Sequence, residues 1–549
     1  MKGTDTKMNS AQRFSTNRLI AKTAIRSAGG IVSSQSRVAS EIGARVMAKG
    51  GNAVDAAIAT SFALHVCEPW MSGLGGGGGM LIHDANSGQT TTVDFPMLAP
   101  SGARPENYPL NSGQDADLFG WPGVKDARNR IGGASIAIPG QVAGMALALD
   151  KYGTRRWADL MAPAIELAEE GLPLDWYANL MISSEKDDMQ RYSENAELFQ
   201  GSVKPPQRGA DQTRLRNAPL IGTMRKLRDH GPRAFYEGPV AEAITRDIQR
   251  FGGTVNKADL QAYQANIRAP RKVQYRDATV AFLPELTGGD AIIEVLKILT
   301  EHAPSQNAAP GPDDFINIAG ALEAMWQDRL EHAGDRERRM SDACTTHLSV
   351  VDADGNVVSM TQTLLSPFGC RRMLPETGLF MNNGMYWFDP RPGRPNSIAP
   401  GKRPLGNYSP CLAFHKDRII SLGAAGGRRI IPAVTQILKF MIDHGMGLEE
   451  AMHHPRIDVS GGAYLVADPR LGKITLERLA ASFDVVSSIP TPIPNVYAIV
   501  SAVVRGVAAN EGLSEPVNPW SDAVSTDAVS ENANTATRAA PSTDQRKII

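Results

Sequence analysis

Thr345-Thr346-His347-Leu348-Ser349-Val350-Val351-Asp352-Ala353-Asp354-Gly355-Asn356-Val357-Val358-Ser359-Met360-Thr361-Gln362-Thr363 is the stretch on which the reading of the fold turns. Its arms, 347–351 and 357–363, are rich in β-branched residues. The five residues between them carry turn chemistry: Asp and Asn bond their own backbone, and glycine accepts a positive φ. The pattern predicts a β-hairpin. Threonine is common in strands on propensity alone, so the hydroxyls of Thr345 and Thr363 need further context before they are given a chemical role.

Upstream, helical spacing over 38–47 stops at Gly50-Gly51-Asn52, and an alanine-rich helix over 53–66 is ended by Glu68-Pro69. Ser72-Gly73-Leu74-Gly75-Gly76-Gly77-Gly78-Gly79 follows. Five consecutive glycines are costly inside a strand or helix and predict a turn where backbone meets backbone or ligand. The Lys-Ser/Thr of a phosphate loop is missing, which argues against nucleotide binding. Short strands are expected at 80–83 and 91–95. Ile138-Pro139-Gly140 opens a helix to about residue 151, and 155–260 reads as mostly helical. A strand at 279–283, helices at 291–301 and 315–332, and a loop at 305–313 complete the first two thirds. Downstream, a strand at 419–422 runs into a second glycine-rich turn, Gly423-Ala424-Ala425-Gly426-Gly427. A helix with apolar positions Ile430, Val434, Ile437, Leu438 and Met441 follows. Such a corner leaves backbone N–H groups pointing outward at the helix start.

The 549 residues are 42% hydrophobic and 21% charged, enough apolar content for a sizeable core. A net charge of −1 gives no global field to attract nucleic acid or an anionic membrane. No run of about 18 apolar residues marks a membrane span. Cys67, Cys344, Cys370 and Cys411 form no CxxC pair, and the ten histidines show no HExxH pattern, so neither a disulfide framework nor a metal site is expected. The first 26 residues hold six basic side chains and one acid without an apolar signal core, which points to a cytoplasmic protein. Residues 1–28 are expected to be a flexible extension, and 521–549, without a single aromatic, a disordered tail.

The motifs now add up to a resemblance. Gly50-Gly51-Asn52-Ala53-Val54-Asp55-Ala56-Ala57, Glu68-Pro69 and Ser72-Gly73-Leu74-Gly75-Gly76-Gly77 resemble the opening of γ-glutamyltransferases. Pro139-Gly140, Lys151-Tyr152-Gly153 and Gly231-Pro232 continue it. The run from Thr345 to Val358 resembles the start of that family's small subunit, and Lys402-Arg403-Pro404-Leu405, Ser409-Pro410 and Gly426-Gly427 extend the match to about residue 515. The resemblance implies an α/β (α+β) N-terminal-nucleophile hydrolase, a four-layer αββα sandwich made as one precursor. It further implies self-cleavage between Cys344 and Thr345, with 29–344 as the large subunit and 345–520 as the small one, interwoven in one body. The two subunits would form a heterodimer or a dimer of heterodimers. Thr345 would be the nucleophile, with its freed α-amino group, of reference pKa about 7.7–8.0, as its own base. Thr363 would position it, Gly426 and Gly427 would form the oxyanion hole, and no cofactor or metal would be needed.

Substrate recognition departs from the family pattern. The family's Asp-Phe-Arg, whose arginine clamps the substrate carboxylate, is Asp94-Phe95-Pro96 here. Its remaining recognition positions fall on Leu365, Gly384, Trp387, Gly406 and Asn407. Trp387, Tyr386 and Leu365 suggest an apolar acyl pocket. Arg371, Arg372 and Arg428 are either surface cations or anchors for a distal carboxylate of a dicarboxylic acyl group. The leading reading is therefore an amidohydrolase or acylase acting on a small-molecule amide. A true γ-glutamyltransferase or glutathione hydrolase, a C–C hydrolase and a non-catalytic scaffold stay open.

Overall fold

The computed structural model describes residues 20–114, 121–199, 213–305, 307–333, 344–492 and 496–530. The predicted hairpin forms: strand Cys344–Val351 pairs antiparallel with Val357–Leu365, with Val351 opposite Val357. It lies in the middle of a seven-stranded antiparallel sheet. In order, the strands are Asp522–Ser525, Ile31–Ser34, Cys344–Val351, Val357–Leu365, Gly77–His83, Thr90–Phe95 and Asn266–Arg268. A second seven-stranded antiparallel sheet runs Ile25–Ser27, Asn510–Ser514, Ile499–Arg505, Arg418–Ala425, Cys411–His415, Ala278–Phe282 and Arg271–Tyr275.

Side-chain alternation along the hairpin explains the layering. Leu348, Val350, Val358 and Met360 point outward into a core with helix Ala53–Cys67. His347 and Ser349 point inward at the other sheet. There the ring of His347 lies against Gly423, and Ser421 Oγ donates to Ser349 Oγ at 2.9 Å. Helix Ala53–Cys67 is buried along its whole length, and its small residues allow close approach. Asn52 starts it by capping Val54 and Asp55, while Asp55 bonds back to the Asn52 N–H. Helices Gly288–Thr300, Pro312–Ala333 and Ile430–Asp443 cover the other sheet. The result is the expected αββα sandwich, and no described helix is long and apolar enough to cross a membrane.

Three expectations need correction. The glycine run is not all turn: Gly77, Gly78 and Gly79 form strand, opposite Thr363, Gln362 and Thr361. A Cβ on Gly78 would stand 2.1 Å from the Thr361 carbonyl oxygen, and one on Gly79 2.5 Å from Leu283. Close approach of the neighbouring strand and the facing sheet, not conformational freedom, demands glycine there. Likewise Gly423, Ala424 and Ala425 continue their strand, and the turn is confined to Gly426-Gly427.

The third correction concerns the ends. Residues 25–27, placed in the flexible extension, pair with Asn510–Ser514. Lys22 Nζ donates to the carbonyls of Glu515, Asn518 and Ser521. Residues 522–525, placed in the tail, form an edge strand against Ile31–Ser34, with Ala523 and Val524 buried. Backbone pairing plus two small apolar side chains suffices at an edge, so aromatic content was a poor guide. Of these two predicted segments, residues 1–19 and 531–549 lie outside the described residues.

Candidate active site

Thr345 sits at the start of the hairpin, 4% exposed, where the ladder is irregular: Cys344 faces Leu365 but Thr346 faces Gln362. The extra residue is on the Val357–Leu365 strand, and such bulges re-aim side chains. Thr363 becomes the hub. Its hydroxyl donates to the Cys344 carbonyl at 2.6 Å and accepts the Leu365 N–H at 2.7 Å. Thr345 Oγ approaches Thr363 Oγ at 3.4 Å. Leu365 adopts φ +86°, a costly left-handed conformation for a branched side chain. A hydroxyl that donates into the carbonyl before Thr345 withdraws charge from that carbonyl carbon, next to a second hydroxyl able to attack it.

The glycine corner comes to the same end of the sandwich. Across the sheets His347 lies opposite Gly423 and Ser349 opposite Ser421. Cys344 and Ala425 share one buried cluster with Trp70, Phe368 and Phe380. Gly426 has φ +138° and Gly427 φ +61°, a corner that strongly favours glycine.

The recognition positions gather around a second knot. Asn382 Nδ2 donates to the carbonyls of Gly75 and Ala137, and its Oδ1 accepts the N–H groups of Ala137 and Gly384. A Cβ on Gly384 would stand 2.8 Å from Ala137 Cβ, so no side chain fits there. A Cβ on Gly406 would stand 2.7 Å from the ring of Tyr408. Tyr408 is held by Arg403 Nη2 at 3.2 Å and packs on Trp387 at 5.9 Å. Leu365, Trp387 and Tyr386 are buried together in one apolar core. The Pro96 carbonyl is taken by Tyr263 OH at 2.6 Å. The space where polar recognition groups were expected is filled, not merely stripped of them.

None of the three arginines left open is a fully exposed surface cation. Arg371 is buried with Glu185 at 2.5 Å and Asp188 at 3.5 Å. Arg372 pairs with Glu194 and stacks over Phe251. Arg428 is 2% exposed, over the ring of Trp326.

The structure also brings forward residues that sequence reasoning passed over. Glu68 is fully buried behind the hairpin, with Oε2 3.4 Å from Thr346 Oγ and Oε1 without a partner. Burial pushes its carboxyl up to about 8, against a lowering bond from Thr346. In the sequence the Glu68-Pro69 pair was visible as a helix stop and as part of the family motif, not as a buried carboxyl. His347 bonds Thr361 Oγ at 2.8 Å and Ser349 Oγ at 3.0 Å, and burial lowers it to about 3. It is therefore a neutral packing group. Arg329 carried no signal at all on its helix. Among the described residues no group of three His, Cys, Asp or Glu side chains could hold a metal ion.

Comparison with known proteins agrees with this geometry. The Gamma-glutamyltranspeptidase family matches residues 39–343 and 331–524. A glutathione hydrolase proenzyme of Bacillus subtilis (strain 168) is 31% identical over 524 residues, covering 86% of this chain and 87% of the relative. An acylase ACY 1 proenzyme of Pseudomonas sp. (strain SE83) is 34% identical over 472 residues, covering 79% and 83%. The crystal structure of cephalosporin acylase from Bacillus halodurans superposes with a TM-score of 0.79 at 21% identity, over 93% of this chain and 98% of that one, a likeness of fold. With the family matched over most of its length and the hairpin, the threonine pair and the glycine corner in one place, this chain belongs to the gamma-glutamyltranspeptidase family of amide-bond hydrolases and transferases.

Proposed function

We propose that the chain is a self-processing acylase of this family that hydrolyses amides of acyl groups other than γ-glutamyl. Thr345 Oγ attacks the Cys344 carbonyl carbon, the acyl group moves from nitrogen to oxygen, and water cleaves the ester. Residues 345–549 then begin with a free amine. That amine takes the proton of its own hydroxyl and passes it to the leaving amine as the amide C–N bond breaks and the acyl group moves to Thr345 Oγ; a second water then hydrolyses the ester and releases the acid. The N–H groups of Gly426 and Gly427 receive the oxyanion.

The observation that carries the reading is the Thr363 hydroxyl donating to the Cys344 carbonyl beside Thr345 Oγ. The acyl preference is supported by the closed recognition positions at Gly384 and Gly406 and the buried Leu365 and Trp387. The two products would stay together as a heterodimer. Within the first sheet, Ile31–Ser34 and Gly77–His83 flank the hairpin of the second fragment on both sides.

Intact mass of the denatured protein tests processing: two chains divided between Cys344 and Thr345 are expected. Phenylacetyl- and γ-glutamyl-p-nitroanilide test the acyl preference. Leaving the charged amino and carboxylate groups of a γ-glutamyl substrate without partners supports its rejection by about 10³-fold. The glutathione hydrolase reading, favoured by the relative at 31% identity, wins if the γ-glutamyl anilide is the faster substrate.

A further inference from the structure

A cavity of about 430 Å³ opens between helices Gly288–Thr300 and Pro312–Ala333, against the loop that leads to Gly406. Neither Thr345, Thr363 nor the Gly426 corner lines it. Its volume suits a small organic molecule, and Leu286, Ile298, Met325 and Leu405 give it apolar walls. Arg329, Lys402 and Arg403 also line it.

These three cations differ in how they are compensated. Arg403 is neutralised by Asp94. Arg329 Nη2 donates only to neutral oxygens, the Gly406 carbonyl at 2.7 Å and Asn407 Oδ1 at 3.3 Å. Lys402 Nζ donates to the carbonyls of Pro395 and Ser397. Among the described residues neither has a carboxylate within ion-pair distance. The Nε atoms of Arg329 and Arg403 are sealed from solvent without an acceptor. The acids that line the cavity are engaged: Asp290 holds Arg271 at 2.5 Å, Glu294 holds Lys297 at 2.9 Å, and Asp328 has its own partner. Burial lowers Arg329 to about 10, opposed by the charge of Asp290, and also lowers Lys402, as expected for cations lacking counter-charge. Arg329 is largely buried and Lys402 half-buried, and a cavity ending in two cations that no carboxylate pairs can take an anion.

We propose that this cavity binds an organic carboxylate with an apolar body, its head on Arg329 and Lys402 and its tail along Ile298 and Met325. The site is separate from Thr345. Because Arg329 also holds Gly406 and Asn407, the bound acid is coupled to the loop that closes the recognition positions. Such a ligand has two sources, a free organic acid or the far end of an acyl group reacting at Thr345; the geometry favours the free acid.

Calorimetric titration with 4-phenylbutyrate and its neutral amide tests this on the full-length wild-type protein and on Thr345→Ala. The acid is expected to bind both proteins equally, and the amide about tenfold more weakly or worse. Arg329→Met and Lys402→Met should each weaken the acid about tenfold. Arg329→Lys should fall between, and Lys402→Met, at a half-buried position, covers the case in which Arg329→Met does not fold. No binding by the wild-type protein overturns the proposal. So does equal affinity for acid and amide, or indifference to both substitutions. Binding lost in Thr345→Ala also overturns it, by assigning the carboxylate to a reacting acyl group. A protein that binds the acid but hydrolyses no amide would refute only the acylase reading.

Discussion

The hairpin that carries Thr345 and Thr363 and the loops that carry Gly384, Trp387, Gly406 and Asn407 belong to one stretch of chain, after residue 343, but are built on opposite plans. In the hairpin the polar atoms are paired in a chain: Leu365 N–H to Thr363, Thr363 to the Cys344 carbonyl, Thr345 beside it. In the loops, Trp387 Nε1 and Asn407 Nδ2 are buried without acceptors, and Tyr408 and Ala137 occupy space that side chains would need. In this chain the geometry around Thr345 is set by backbone register, and the space around Gly384 and Gly406 by which side chains the loops present.

Removing the hydroxyl from the hairpin should have the largest effect. Thr345→Ala should leave one uncut chain on denaturing gels and lower amide hydrolysis by about 10⁴-fold or more, since the proposed mechanism draws both nucleophile and base from this residue. Its loops and its melting temperature should be unchanged. Processing in that variant would move the nucleophile elsewhere and dissolve the contrast between the two regions. Thr363→Val is the next test. It keeps shape and removes the donor to the Cys344 carbonyl, so self-cleavage followed by mass spectrometry should slow about 10²-fold.

A third test uses the carboxyl behind the hairpin. Glu68 is raised to about 8 when folded, against a reference of about 4.3 when unfolded. Between these pH values the folded protein holds a proton that the unfolded chain releases. Stability from this group is thus full at pH 4 and falls by about 1.4 kcal/mol per pH unit as pH rises toward 8. Denaturant unfolding of wild type and Glu68→Gln across that range should show a flatter pH dependence in the variant. An unchanged slope would mean that Glu68 is ionised in the fold and paired to the hairpin.

Much of the hairpin half was legible in the sequence because its signals are local. β-branched alternation gave two strands, Asp-Ala-Asp-Gly-Asn gave the turn, and the run from Thr345 carried the resemblance. The glycine runs were only half legible. Gly426-Gly427 is a corner that needs positive φ, while Gly77, Gly78 and Gly79 are strand glycines required by neighbours far along the chain. Nothing local separates these two reasons for glycine. The same limit hid the edge strand Asp522–Ser525, whose partner Ile31–Ser34 is almost five hundred residues away. The loop half could be read as a list of missing polar groups, but not as filled space. That Tyr408 covers Gly406, or that Arg329 reaches it from a distant helix, depends on tertiary contacts.

The smallest expected effect discriminates most sharply between absent groups and closed space. If the family's polar contacts were simply missing, Gly406→Ser would restore one hydroxyl and raise the rate on γ-glutamyl-p-nitroanilide. The packing says otherwise. The new Cβ would meet Tyr408 Cε1 at 2.7 Å, and the ring is pinned between Arg403 and Trp387. The serine should therefore leave the γ-glutamyl rate within about twofold and lower stability by about 1 kcal/mol through overpacking. Gly406→Ser combined with Tyr408→Ala should recover that stability loss in part, because the clash is with the ring itself. A tenfold gain from Gly406→Ser alone would show that the ring yields at little cost, and that this half of the site is open to the family's usual substrate.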